Sequence, residues 1–348
     1  MSDEDDDRSQ DDSAARHPRE TTTLVGHAEA EQALLEAYRG GRMPHAWLLG
    51  GPRGIGKATL AYRLARFVLA HPDPAAPDVR SATSLAVPDD DPVARRVANE
   101  AHGGLLTLER RLNDKGKLSQ DILVDDVRRL VPYFGSTSGE GGWRIALFDS
   151  IDELNRSGAN AILKLLEEPP QRALLLLVSH MPGRVLPTIR SRCRRLDLRP
   201  LTPKEVCLAA GRALSRAPTT PDIMAAAEVA EGSVGRAIEL LDGGALALRE
   251  KTLGIIAQLP NPDPRALHAL GDAVAGSEPQ TLAAFIDVVN EWLSDRLASV
   301  AREARQAARI AETWEQVNRA ARDAQAYNLD RKPLVFSVVG LLAAAARG

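Results

Sequence analysis

Gly51, Gly56 and Lys57 stand in the order and spacing of G-x-x-x-x-G-K-[ST], within the run Leu48-Leu49-Gly50-Gly51-Pro52-Arg53-Gly54-Ile55-Gly56-Lys57-Ala58-Thr59. Glycines at 51, 54 and 56 let backbone N–H groups turn inward around phosphate oxygens, and a helix opening at Lys57 adds the positive end of its dipole. Lys57 would reach the β- and γ-phosphates of a nucleotide. The last motif position breaks the pattern. The hydroxyl that should hold Mg²⁺ is replaced by Ala58, and Thr59 lies about 100° further round a helix. A second acid-bearing pattern follows at Arg144-Ile145-Ala146-Leu147-Phe148-Asp149-Ser150, an apolar run ending in Asp149. In nucleotide-hydrolysing sites of this kind the acid holds Mg²⁺ and a following glutamate orients the attacking water. Here the following residue is Ser150, which cannot act as that base. An alternative register through Asp152 and Glu153 would bury Asp149 and Ser150 inside a strand, so those two acids are expected to open the next helix instead. Two independent losses, Ala58 and Ser150, point to a nucleotide site that no longer does chemistry.

These residues need a sheet to hold them, and the surrounding pattern supplies one. Ala46–Leu49, Leu105–Leu108, Ile122–Val124, Ile145–Phe148 and Leu174–Val178 are short apolar runs of strand length. Between them, Leu60, Leu64, Phe67 and Val68 recur at helical spacing after the glycine loop. Val127, Leu130, Val131 and Phe134 do the same after Asp125. Alternation of this kind predicts a parallel sheet covered on both faces by helices. Residues 71–100, rich in proline and acids, read as a surface insertion, and Gly135–Gly142 as a loop. After residue 200 the strand signal ends. Thr202-Pro203-Lys204-Glu205 is a capping box with proline at the first helical position, and alanine-rich helical stretches run on from it. The expected divisions are an acidic disordered tail at 1–21, the phosphate-loop domain at 22–199, a small helical domain at 200–245 and a second helical domain at 246–348.

Composition narrows the class. The chain has 348 residues, 44% of them hydrophobic, enough for two or three packed domains. No apolar run approaches bilayer-spanning length, and the acidic start MSDEDDDRSQDD is no signal peptide, so a cytoplasmic protein without membrane contact is expected. Residues 1–12 carry a net charge of −6, leaving a near-neutral body with no strong electrostatic case for independent nucleic-acid binding. Cys193 and Cys207 are too few for a disulfide framework or a four-cysteine zinc site, and the seven histidines show no metal-ligand spacing. The only groups the loop is suited to take are ATP, ADP or phosphate; no cofactor is required and no metal is expected.

The run Asn160-Ala161-Ile162-Leu163-Lys164-Leu165-Leu166-Glu167-Glu168-Pro169-Pro170, followed by Leu176-Leu177-Val178-Ser179 and Thr188-Ile189-Arg190-Ser191-Arg192-Cys193, resembles the AAA+ clamp-loader subunits of DNA replication. His45-Ala46-Trp47, Leu24-Val25-Gly26-His27 and the Glu231-Gly232-Ser233 turn fit the same family, over residues 22–245. The loss of both the Mg²⁺ hydroxyl and the Walker B glutamate resembles its delta-prime branch rather than the gamma/tau motor subunits. The resemblance implies an α/β P-loop AAA+ domain, a helical lid and a C-terminal all-α collar. It further implies a non-hydrolysing stator of a DNA polymerase III holoenzyme, in a hetero-pentamer with gamma/tau and delta subunits. Such an assembly places a sliding clamp on primer-template DNA. In that setting Arg192 enters a neighbour's ATP site as a trans arginine finger, with Ser191 positioning its loop. Arginine suits the task because its planar, permanently charged fork matches phosphate oxygens. Arg184, Arg190, Arg194, Arg195 and Arg199 are expected to be solvated or interface charges. The sequence departs from relatives that carry a zinc module, since residues 71–100 hold no cysteine. It departs again at the lid, where Gly235 stands at the position of a sensor arginine and Arg236 follows one step later. Ser179 and His180 occupy the polar sensor position after the Leu174–Val178 strand, and His180 is assigned no catalytic role.

Overall fold

The computed structural model describes residues 15–110, 122, 124–135, 142–154, 156–242, 244–275, 280–300, 303–327 and 329–347. It divides into two compact units, Met1–Ala237 and Ile238–Gly348.

The first unit is built on strands β1 (Ala46–Gly50), β2 (Leu105–Leu108), β3 (Arg144–Phe148), β4 (Ala173–Ser179) and β5 (Arg194–Asp197). All neighbours pair in parallel, in the order β2-β3-β4-β1-β5. Successive side chains point to opposite faces, so both faces must be covered. Trp47, Leu49, Ile145, Leu147, Leu174, Leu176 and Val178 enter one core with α1 (Ala28–Arg39) and α2 (Lys57–Ala70). Ala46, Leu48, Ala146, Phe148, Leu175 and Leu177 enter the other. That second face is covered by α5 (Val124–Arg128), α6 (Leu130–Gly135) and α7 (Arg156–Glu167). Burying each large apolar side chain contributes about 1.5–3 kcal/mol.

Three expectations are corrected. Residues 71–100 form a packed cover rather than a loose insertion. They carry α3 (Pro77–Ser81) and α4 (Pro92–Ala98), and Val79, Leu85, Val87, Ala94 and Val97 sit in the core beside α2. The helix expected through Val127, Leu130, Val131 and Phe134 is two short helices, α5 and α6. A continuous helix would set Pro132 against the carbonyl of Arg128 and deprive that carbonyl of its N–H partner, so the chain breaks at Arg129. The break turns Val131 outward, where it is 59% exposed, while Val127, Leu130 and Phe134 stay buried. Ile122 makes one parallel bridge to Leu154 in place of a strand; residues 121 and 123, like 136–141 of the expected loop, lie outside the described residues.

The chain leaves the sheet through α8 (Pro187–Arg190) and β5, then enters α9 (Pro203–Ala213), α10 (Pro221–Val229) and α11 (Val234–Leu241). The capping box opening α9 is formed in full by Thr202 and Glu205. The acidic tail lies outside the described residues up to 14. Residues 15–21, read with it, are held against α2, because buried Arg66 needs carbonyl acceptors and finds them at Arg19 and Thr21.

The second unit is all helical: α12 (Ala245–Ala257), α13 (Pro264–Ala275), α14 (Gln280–Ser299), α15 (Ala304–Tyr327) and α16 (Arg331–Ala346). Its core gathers Leu270, Phe285, Val289, Leu293, Val317, Val335, Val338 and Leu342. Arg249 of α12 clasps Glu291 of α14 through two bonds of 2.7 and 2.9 Å. Asn290 and Asn318 exchange side-chain amide bonds between α14 and α15. No described helix is long and apolar enough to cross a membrane.

Candidate nucleotide site and Arg192

Strand β1 ends at Gly50 and α2 starts at Lys57, so the glycine loop occupies the C-terminal edge of the sheet, as the motif requires. Gly51, Gly54 and Gly56 have φ of 141°, 75° and 101°, values that L side chains rarely adopt. A Cβ at Gly51 would also meet Leu198 O at 2.5 Å. The lid seats directly on this loop. The Gly235 N–H donates to Gly54 O at 3.1 Å, and a Cβ on Gly54 would run into Ser233 Oγ. The expected sensor position is therefore a backbone contact, while Arg236 pairs with Glu231 at 2.9 Å.

Lys57, only 2% exposed, folds onto its own loop. Its ammonium donates to Gly51 O at 2.7 Å and to Pro52 O. Burial pulls the Lys57 pKa down to about 8, with Asp152 and Asp149 opposing and Arg53 adding to the fall. Asp149 follows the last residue of β3. Burial raises its carboxyl above the ordinary range, against the pull of His17, Arg53, Lys57 and Arg110. Ser150 is buried, and its hydroxyl has no partner among the described residues. Ala58 and Thr59 lie in the first turn of α2, which begins as a regular helix at Lys57, so Thr59 is not turned toward the Ala58 position.

Asp152 and Glu153 open the next helical element as expected, though it is a single 3-10 turn, Ile151–Glu153, ahead of α7 rather than α7 itself. Asp152 accepts from the Ser179 hydroxyl at 2.8 Å, from the His180 N–H, and from the Met181 N–H at 3.4 Å. The polar sensor position is thereby tied up inside the protein. His180 is pushed down to about 4, chiefly by burial and next by Lys57. Glu153 pairs with Arg110 at 2.8 Å. Both acids are thus engaged by partners within the chain.

Arg192 sits elsewhere. It precedes β5, at the N-terminal end of the strands, whereas the glycine loop leaves the C-terminal end; Gly50 registers with Asp197. The four residues of β5 lie between these levels, about 10 Å from Arg194 to Asp197, and Arg192 sits in the turn before them. Its guanidinium donates through Nη1 to Thr188 O at 2.9 Å and Ser191 Oγ at 3.3 Å, and through Nη2 to Glu167 Oε1 at 2.7 Å. Ser191 caps α8 and donates to Thr188 O at 3.2 Å. Cys193 packs against the α7-side core, and burial raises its thiol pKa to about 12.

The structure thus brings Gly51, Gly54, Gly56, Lys57 and Asp149 together at one edge and holds Ser191 and Arg192 at the other. The sequence names Asp152 only as a rival or helix-opening acid, and it does not single out Arg110 or Glu167, since each pairs with a residue distant in the chain. Only Glu167, inside the Glu-Glu-Pro-Pro run, carried a signal. Among the described residues no group of three or more His, Cys, Asp or Glu is placed to hold a metal ion.

A glycine loop between a parallel strand and a helix, an acid ending the adjoining sheet core and a helical lid over the loop define an AAA+-type P-loop domain. Residues 26–202 match the profile of the DNA polymerase III delta subunit family, and the chain belongs to that family. It is 38% identical over 164 residues to the DNA polymerase III subunit delta' of Pseudomonas aeruginosa, covering 47% of this chain and 46% of that protein. It is 31% identical over 187 residues to the DNA polymerase III subunit gamma/tau of Mycobacterium tuberculosis, covering 54% of this chain and 30% of that one. The chain thus spans less than half the length of these relatives. A gamma subunit-related protein of Thermotoga maritima superposes with a TM-score of 0.42 at 15% identity, over 92% of this chain and 99% of that one.

Proposed function

We propose that this chain is a delta-prime-type subunit of a bacterial DNA polymerase III clamp loader, a non-hydrolysing stator that lends Arg192 to the ATP site of an adjacent gamma/tau-type subunit. The observation that carries this reading is the position of Arg192, in the turn that leads into the N-terminal end of β5, the opposite end of the strands from its own glycine loop. Its distance from its own loop supports a role at another chain's site. Ala58 in place of the Mg²⁺ hydroxyl, Ser150 in place of the glutamate, the tying of Ser179 to Asp152 and the seating of Gly235 on Gly54 support the non-hydrolysing part. The partners in this reading are gamma/tau and delta subunits in a hetero-pentamer, with the sliding clamp and primer-template DNA reached through the complex. Its compartment is the cytoplasm. Its domains are an AAA+ domain to residue 199, a lid to 245 and a collar beyond. The loop requires no cofactor and takes at most ATP, ADP or phosphate.

The rival is an ATP-hydrolysing motor in which Thr59 and Glu153 replace the lost groups, and the Arg110–Glu153 pair disfavours it. Purified alone, with or without primed DNA, the chain is expected to turn over no ATP and to be recovered with the clamp and loader subunits in a pull-down. Robust turnover by the isolated chain, or recovery of none of those partners, rejects the reading.

A further inference from the structure

An arginine that serves another chain's phosphate must arrive with its fork already aimed, because a free side chain spends most of its time in other rotamers. Two rigid carriers hold Arg192. Glu167 is the last residue of α7, which Pro169 and Pro170 prevent from continuing, and its base is fixed by the Glu168 N–H bond to Lys164 O at 3.0 Å. Thr188 lies in α8, which opens on Pro187, packs against α7 and sets Ile189 in the same core as Leu165 and Leu166. From these carriers come the 2.7 Å bond at Nη2 and the 2.9 Å bond at Nη1. The Nε–H has no partner among the described residues, and the side chain stays 35% exposed. Glu167 therefore grips one corner of the fork and leaves donors for a phosphate.

We propose that Glu167 is a positioning residue for the trans arginine, holding the Arg192 guanidinium in the direction from which it meets a neighbour's γ-phosphate. This rests on the reading of Arg192 as a donor in trans. Glu167 touches no reacting atom; it acts through Arg192 alone.

The test uses a reconstituted loader whose other finger arginines are replaced by alanine, so that ATP turnover reports the one site this chain completes. Glu167→Ala is expected to lower kcat about tenfold, with KM for ATP unchanged and assembly intact by gel filtration. Glu167→Gln keeps an acceptor oxygen at the same place and is expected to recover most of the rate. The double variant with Arg192→Ala is expected to be no slower than Arg192→Ala alone. If Arg192→Ala impairs turnover while Glu167→Ala runs at the wild-type rate or faster, the positioning role is overturned and the trans-arginine reading survives. If Arg192→Ala is itself without effect, both fall. Failure of the Gln variant to recover the rate overturns the positioning role too.

Discussion

Asp152 offers the sharpest perturbation, because its two possible roles predict opposite results. In the structure its carboxylate accepts the hydroxyl of fully buried Ser179 and the backbone N–H of His180. Asp152→Ala leaves both donors without this acceptor. A hydrogen bond to a charged group contributes about 1.5–3 kcal/mol, so the pair together, after relaxation of the loop, is worth about 3 kcal/mol. For a unit of this size that is a fall in Tm of about 8 °C. Asp152→Asn keeps one acceptor oxygen and should lose about half as much. Glu153→Gln breaks only a partly exposed pair with Arg110 and should cost less than about 1 kcal/mol. Scanning calorimetry of the full chain reads these differences, and ATP turnover of the reconstituted loader is measured alongside. The reasoning fails if Asp152→Ala melts with the wild type, or if Glu153→Gln abolishes turnover in a normally stable, normally assembled loader. That second outcome would make Asp152-Glu153 the working acid pair.

Two further predictions concern buried groups. Lys57 titrates near about 8 when folded against 10.5 ordinarily, so between those values the unfolded chain holds a proton that the folded chain has released. Stability should therefore rise with pH across that window, by at most about 1.4 kcal/mol per pH unit, and Lys57→Met should remove the slope in guanidinium titrations; parallel curves for the two proteins would refute the burial of the ammonium. Cys193, with its thiol pushed up to about 12, should resist iodoacetamide in the native chain at mildly alkaline pH and react once unfolded, as read by peptide mass mapping.

The glycine loop, its strand and helix, and the missing groups at Ala58 and Ser150 were legible in the sequence because each is a local pattern read within a few residues. The break between α5 and α6 was equally local, written in Pro132, yet four apolar residues at helical spacing outweighed it. What the chain order concealed were pairings made by the sheet. β3 and β4 are neighbours, so their C-terminal ends bring Asp152 to Ser179 across 27 residues. The packing of α7 on α8 brings Glu167 to Arg192 across 25. The burial of Val79, Leu85, Val87, Ala94 and Val97 was hidden by the acids and prolines between them.

If Arg192 works in a neighbour's site, removing it must slow hydrolysis there. A loader reconstituted with Arg192→Ala, its other finger arginines already replaced, tests this most directly by single-turnover ATP hydrolysis. Normal assembly is expected, with a loss of about 10³-fold or more at the site this chain completes, the scale of an arginine supplied in trans. Hydrolysis at the unaltered rate would contradict it.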